Sequence, residues 1–410
     1  MKAKLAHASL VQFPVVEDEL VIGGVPIGQL AGRVGRTPFY AYDRSAISSR
    51  IADLRATLPA GISLHYAIKA NPMPAVVGHV AQLVDGLDVA SVGEMHVALD
   101  TGTCSSAISF AGPGKSSAEL SAAVKAGICL NIESSGELER VVQTGETLGL
   151  GPRVAVRVNP DFELKSSGMK MSGGPKPFGI DAEQVPAILQ RIGETGLDFQ
   201  GFHIFSGSQN LKAGSLIEAH DKTFELAYRL ADHAPSPVNT LNIGGGFGIP
   251  YFPGEQRLDL APICNNLAEH RDACRERLGN VELVLELGRY LVAEAGVYVC
   301  EVVDKKISRG TTYLVTNGGL HHHLAASGNF GQVIRKDYPV VTAHRVHGGP
   351  RELVSVVGPL CTPLDILADS MELGQADVGD LIAVLQSGAY GFTASPHLFL
   401  GHPAPVEVLV

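Results

Sequence analysis

The chain has 410 residues, 45% of them apolar and 18% charged, which is enough to bury a large core and more than one ordinary domain requires. Lys and Arg total 32 against 42 Asp and Glu, a net charge of −10, which argues against a basic nucleic-acid-binding stripe and against an anionic membrane as the main partner. No run approaches the ~20 apolar residues that span a bilayer, and the first 14 residues hold no sustained apolar stretch, so the expected compartment is the cytoplasm.

Residues 20–22 predict a short strand near the N-terminus. Further along, strand-like runs at 65–70, 87–91, 108–111, 129–133, 154–159, 201–205, 241–244 and 281–287 alternate with helix-like stretches. The helices are expected at 74–83, 93–100, 117–126, 136–147, 182–195, 216–234 and 260–278. Eight strands with helices between them predict a (β/α)8 barrel, and the span fits its usual ~250 residues. An open doubly wound sheet is the competing architecture. After Arg289, strands at 297–307, 313–316, 353–357, 381–386 and 406–410 have no regular helices between them and predict an all-β domain. The expected organisation is therefore an N-terminal segment, 1–35, joining the β domain; a barrel, 36–290; and a C-terminal β domain, 291–410.

Barrel enzymes place their chemistry where strands end. Lys69 lies in the otherwise apolar run Tyr66-Ala67-Ile68-Lys69-Ala70-Asn71-Pro72. Burial there lowers an amine's pKa and makes it a nucleophile able to form a Schiff base; a salt-bridged or rim lysine is the alternative. Asp88, Arg157, Asn159 and His203 stand at or near other strand ends, and Ser206-Gly207-Ser208 follows His203. The seventh strand runs into Gly244-Gly245-Gly246-Phe247-Gly248, and the eighth into Glu286-Leu287-Gly288-Arg289. The glycines match only part of a dinucleotide fingerprint, but a small phosphate site near strands seven and eight suits a barrel. A lysine nucleophile, a phosphate cradle and a carboxylate at one barrel mouth point to pyridoxal 5'-phosphate (PLP). In this reading Lys69 holds the aldehyde, Gly244, Gly245, Gly246, Ser206 and Arg289 hold the phosphate, Glu286 faces the ring nitrogen and His203 stacks on the ring.

These stretches, with Glu286-Leu287-Gly288-Arg289-Tyr290, Gly358-Pro359-Leu360-Cys361 and Gly388-Ala389-Tyr390-Gly391, resemble the fold-type III PLP decarboxylases, the group of diaminopimelate and ornithine decarboxylases. The resemblance runs in order from about residue 36 to the end. Ser167-Gly168-Met169-Lys170-Met171, Phe205 through Asn210, His321-His322-His323 and Gly358 through Leu364 are most similar to the exosortase A system-associated subgroup. They also resemble decarboxylases of carrier-protein-bound or siderophore-precursor amino acids.

The resemblance implies an α-decarboxylase working as a head-to-tail homodimer with shared active sites. It makes Lys69 the Schiff-base lysine, with Asp88 and Arg157 shaping the cofactor side. Leu287 and Gly288 border the cofactor, while Ser206, Gly246, Arg289 and Tyr390 hold the phosphate end or substrate. Cys361 of the second subunit returns the proton to the substrate carbon. Thr362 stands where relatives acting on diamino substrates carry an acidic residue, and Asn317 where many carry Asp. Leu287 replaces a usual Pro. Thr362 and Asn317 point away from a substrate with a distal ammonium and toward a larger or tethered one.

Three alternatives remain at this point. They are diaminopimelate decarboxylase, an amino-acid racemase of the same fold type, and a non-catalytic PLP carrier. No metal site is expected: adjacent histidines on an extended segment point to opposite faces and do not converge on one ion. The six cysteines form no paired metal motif and are expected to be unpaired.

Overall fold

The computed structural model describes residues 6–162, 169–170 and 173–410. The chain divides into two compact units, one formed by Ile51–Gly248 and Leu258–Gly288 and the other by Met1–Arg50, Ile249–Arg257 and Arg289–Val410.

In the first unit, among the described residues, eight parallel strands close on themselves. They are β1 (Ile62–Ala67), β2 (Gly86–Val89), β3 (Ile108–Phe110), β4 (Cys129–Ile132), β5 (Arg153–Asn159), β6 (Asp198–Ile204), β7 (Thr240–Gly245) and β8 (Glu282–Leu287). β8 pairs back onto β1, as Glu286 opposite His65, and β4 pairs with β5, as Leu130 opposite Val154. That closure excludes the open sheet and leaves no ladder edge. All eight expected strands are present, with ends shifted by up to a few residues.

The helices begin where short polar side chains satisfy free N–H groups. Ser91, Ser116 and Ser134 each accept the N–H of a glutamate three residues on, at Glu94, Glu119 and Glu137. Leu120, Leu138, Val141, Leu189 and Phe224 then bury the inner helix faces.

The second unit is built on one long strand, Gly296–Ser308. It pairs with Phe39–Tyr42 and Leu381–Val384 along its first half and with Thr311–Thr316 along its second. Arg351–Val357 and Ile366–Gly374 extend the sheet on one side, Val340–Thr342 on the other. Val406–Leu409 adds in parallel to Phe39–Tyr42. The strands at 39–42, 340–342 and 366–374 were not anticipated from the sequence. The expected all-β character holds, and Phe39, Ala41, Val297, Val299, Ala383 and Leu385 form the core together with Leu20 and Ile22.

Candidate active site

At the C-terminal end of β1 the chain does not continue as a strand. Residues Ile68–Ala70 form a single turn of 3-10 helix. Ile68 and Ala70 are buried, and the Tyr66 hydroxyl donates to the Asn71 carbonyl at 2.9 Å, which pins the turn from below. Lys69 is thereby turned toward the mouth with its side chain 47% exposed. This corrects the expectation of a desolvated lysine in a strand: the turn, absent from the apolar pattern, lifts it out of the apolar layer. Its Nζ stands 3.6 Å from Glu286 Oε1 and 5.9 Å from the centre of the Phe205 ring.

Glu286 is buried, and its other oxygen, Oε2, lies 3.1 Å from His203 Nε2. Burial pushes the Glu286 carboxyl up, but the Lys69 ammonium and His203 outweigh it and hold the group well below the usual carboxylate range. His203 Nδ1 is buried without a hydrogen-bond partner among the described residues.

Arg157 Nη1 donates to Glu133 Oε1 at 2.8 Å, and the same oxygen accepts the Gly112 N–H at 2.5 Å. Glu133 Oε2 accepts from the Gly179 N–H. Burial pushes the Glu133 carboxyl up, and Arg157 with Lys115 more than reverses it. Lys115, itself buried, bridges to Glu137 at 2.8 Å. Arg157 is thus held by a charged network that the sequence analysis passed over. Glu133 was legible by the same rule used for Asp88, as a charged residue just past a strand end.

Gly244 and Gly246 have φ of +67° and +76°, and Gly245 lies between them. A Cβ at Gly245 would collide with the Glu286 carbonyl oxygen, and one at Gly246 with that of Gly207. A side chain at Gly244 would strike the Phe205 ring. The backbone here is therefore packed directly against the loop carrying Ser206 and against the Glu286 strand. Gly288 lies close enough to Ala70 that a Cβ would come within 2.9 Å. Asn159 donates to Asp181 and to the Gly174 carbonyl, holding the backbone beyond β5.

Asp88 lies lower. Its Oδ1 accepts from the Ser109 hydroxyl at 2.5 Å and faces His65 Nδ1 at 3.3 Å. One oxygen of its carboxylate is thus engaged by side chains of the barrel itself.

The remaining predicted residues belong to the β unit. Arg289 Nη1 donates to the Tyr251 hydroxyl at 3.1 Å, and the guanidinium lies 4.8 Å over the Tyr390 ring. Leu287, by contrast, is buried in the barrel wall. Cys361 is exposed and unpaired. Its turn is fixed by buried Asp365, whose two oxygens accept the N–H groups of Leu320 at 2.5 Å and Leu360 at 2.8 Å. Gly319 and Gly358 lack side chains where Asp365 packs. Asp365 was missed by sequence reasoning.

Asn317 uses its amide internally, accepting from the Glu301 N–H and donating to Thr37 Oγ1. Both ends of the amide are thus engaged within the protein. His321, His322 and His323 are buried; His322 bonds Tyr298 and the Pro403 carbonyl, and His323 bonds Ser387. Burial drops His322 and His323 to about 3, so neutral rings fill this core. In the Ser167–Met171 motif, Ser167, Gly168 and Met171 lie outside the described residues; Met169 and Lys170 pair with Ser208 and Gly207.

PLP fits this mouth. A lysine amine faces a buried carboxylate, an imidazole nitrogen is unpartnered beside them among the described residues, and a left-handed glycine turn puts no side chain in the way. These features define a (β/α)8 enzyme of the PLP-dependent type. The family model "Pyridoxal-dependent decarboxylase, pyridoxal binding domain" matches residues 44–293, and the chain belongs to that family.

The L-glutamyl-[BtrI acyl-carrier protein] decarboxylase of Niallia circulans is 38% identical over 91% of this chain and 88% of its own. The diaminopimelate decarboxylase of Aquifex aeolicus is 32% identical over 96% and 91%. A crystal structure of diaminopimelate decarboxylase from M. jannaschii superposes with a TM-score of 0.86 at 26% identity, over 97% of this chain and 92% of that one. The protein is a PLP-dependent carboxy-lyase. Among the described residues, no helix is long and apolar enough to cross a membrane.

Proposed function

We propose that the protein removes the α-carboxyl group of an amino acid tethered to a carrier protein, in the cytoplasm, as a homodimer. One observation carries the substrate assignment. The turn holding Cys361 offers no free carboxylate: the next residue is Thr362, and both oxygens of Asp365 are bonded to backbone N–H groups. A substrate with a distal ammonium would find no counter-ion there, whereas a thioester-linked acyl group asks for none. The 38% identity to a decarboxylase of a glutamyl carrier protein supports the same reading.

In this mechanism Lys69 would be the covalent anchor for the cofactor. The Gly244–Gly246 turn and Ser206 would hold its phosphate. Glu286, kept ionised by its neighbours, would pair with a protonated ring nitrogen. His203 would stack on the ring, and Arg157, steadied by Glu133, would shape the cofactor side. The bound cofactor supplies an electron sink for the pair left behind when carbon dioxide departs. Cys361 of the second subunit returns a proton to the α-carbon.

The test is carbon dioxide release from aminoacyl carrier protein against free amino acids, with borohydride labelling mapped to Lys69. Turnover of free diaminopimelate at an equal or greater rate would overturn the tethered-substrate reading in favour of the second, diaminopimelate decarboxylase. That alternative rests on the 32% identical relative. An unlabelled Lys69 would overturn the anchor.

A further inference from the structure

Four charged side chains are buried close together near the C-terminal ends of β4 and β5. Lys115 and Glu137 are 3% exposed, Glu133 6% and Arg157 8%. Two are cations and two are anions, and they form two pairs. Lys115 Nζ lies 2.8 Å from Glu137 Oε1 and donates to the carbonyls of Gly112 and Asn131 at 2.6 and 2.9 Å. Arg157 Nη1 donates to Glu133 Oε1 at 2.8 Å. Charges this deep persist as pairs, because removing one partner leaves the other buried with its desolvation penalty uncompensated.

The two members of the Glu133–Arg157 pair differ in how they are held. Glu133 is the first residue past β4. Besides Arg157 it accepts the N–H groups of Gly112, after β3, and of Gly179, after β5. Its own N–H donates at 2.7 Å to Glu137, in the helix Ser135–Leu148. A carboxylate tied to that many backbone segments stays where it is. The guanidinium ends a long side chain with several rotatable bonds, so it is the member able to turn.

The carboxylate it would turn to is Glu286. Arg157 is the register partner of His203 on β6, and His203 Nε2 lies 3.1 Å from Glu286 Oε2. Burial raises the Glu286 pKa; Lys69 and His203 lead the groups that lower it, and Arg157 adds to them. Two carboxylates thus lie in the field of one guanidinium. A guanidinium bonded to Glu286 through both its oxygens would leave that carboxylate nothing to offer a ring nitrogen.

We propose that Glu133 is a positioning residue that keeps Arg157 off Glu286 and so reserves the Glu286 carboxylate for the cofactor. This role rests on Glu286 facing the ring nitrogen. Glu133 exerts it through Arg157 alone. The Lys115–Glu137 pair serves the same end, because a lysine already matched to Glu137 does not displace Arg157 from Glu133.

Glu133→Gln keeps the size of the side chain and removes its charge. In crystals of the cofactor-free variant, Arg157 is expected to have moved to hydrogen-bond distance of Glu286, about 2.7–2.9 Å. In the loaded variant, kcat and kcat/KM should fall together by at least about tenfold, part of the roughly 100-fold that follows the loss of one preorganised electrostatic partner. The sign of a second substitution is the sharper readout. Glu133→Gln combined with Arg157→Gln removes the competing guanidinium as well. Its kcat should be at least about threefold above that of Glu133→Gln, and it should match that of Arg157→Gln alone. If Glu133→Gln does not fold, this last comparison still decides, because both proteins lack the guanidinium.

An Arg157 that stays beside position 133 in the Glu133→Gln crystals overturns the proposal, and so does an unchanged kcat in that variant. A double variant no faster than Glu133→Gln, or slower than Arg157→Gln, also overturns it and makes Glu133 a packing residue for the loops it bonds. Failure of the cofactor reading would show separately, as a Lys69 unlabelled by borohydride in wild-type enzyme.

Discussion

His203 Nε2 and Glu286 Oε2 stand 3.1 Å apart although they come from β6 and β8, with β7 between them. The approach skips one strand and leaves Glu286 between an imidazole on one side and the Lys69 ammonium on the other. A buried carboxylate alone would favour its neutral form; here its surroundings hold the charge. A carboxylate kept ionised at the mouth can stabilise a proton on a ring nitrogen facing it, and that preorganisation separates a decarboxylase site from an ordinary polar rim.

Replacing that charge isolates its contribution. Glu286→Gln keeps the shape and should lower kcat roughly 100-fold, the scale of removing one preorganised electrostatic partner. The sign with pH also follows. A depressed carboxylate adds stability above its unfolded value near 4.5, lost as pH falls through its folded value. The variant should therefore show a flatter acid limb in denaturant titrations from pH 7 downward. An acid limb identical to wild type would remove Glu286 from the list of stabilising carboxylates.

The glycine turn tests the phosphate assignment. Gly246→Ala places a Cβ against the Gly207 carbonyl at a φ of +76°. The strain should cost about 1–2 kcal/mol. The barrel should keep its far-ultraviolet circular dichroism while PLP affinity, followed by absorbance near 420 nm, falls by tenfold or more. Unchanged affinity would place the phosphate elsewhere.

Asp365 is the residue on which the Cys361 turn depends. Asp365→Ala leaves the N–H groups of Leu320 and Leu360 buried and unpaired, at about 1–3 kcal/mol each. The measured loss in urea unfolding should exceed that of Cys361→Ala, whose side chain is exposed. Equal losses would show that the turn is held by other bonds.

The proposal that two subunits share each site has its own assay. Lys69→Ala and Cys361→Ala enzymes should each be inactive alone. Mixed after subunit exchange, they should recover about a quarter of wild-type activity, because half of the dimers are mixed and each mixed dimer carries one intact site. Proven exchange without recovery would assign Cys361 to its own subunit's chemistry.

Much of this molecule was legible in its residues. Eight β-rich runs separated by helix-length stretches specify a closed barrel, because period-two and period-3.6 patterns are local properties of the chain. The glycines after β7 and the charged residues at strand ends were visible for the same reason. Even the Ser91–Glu94, Ser116–Glu119 and Ser134–Glu137 caps follow from three-residue spacing.

What the tertiary structure alone decided depends on residues far apart in sequence. Phe39–Tyr42 is a strand because Gly296–Ser308 and Val406–Leu409 bond to it across more than 250 residues. Lys69 is half-exposed because a turn ends β1, Asp88 faces His65, and Asp365 finds its donors at Leu320 and Leu360. Side-chain direction, burial and the local field are set largely by packing between distant segments, as where Leu320 meets Asp365 across 45 residues, which no short window of sequence contains.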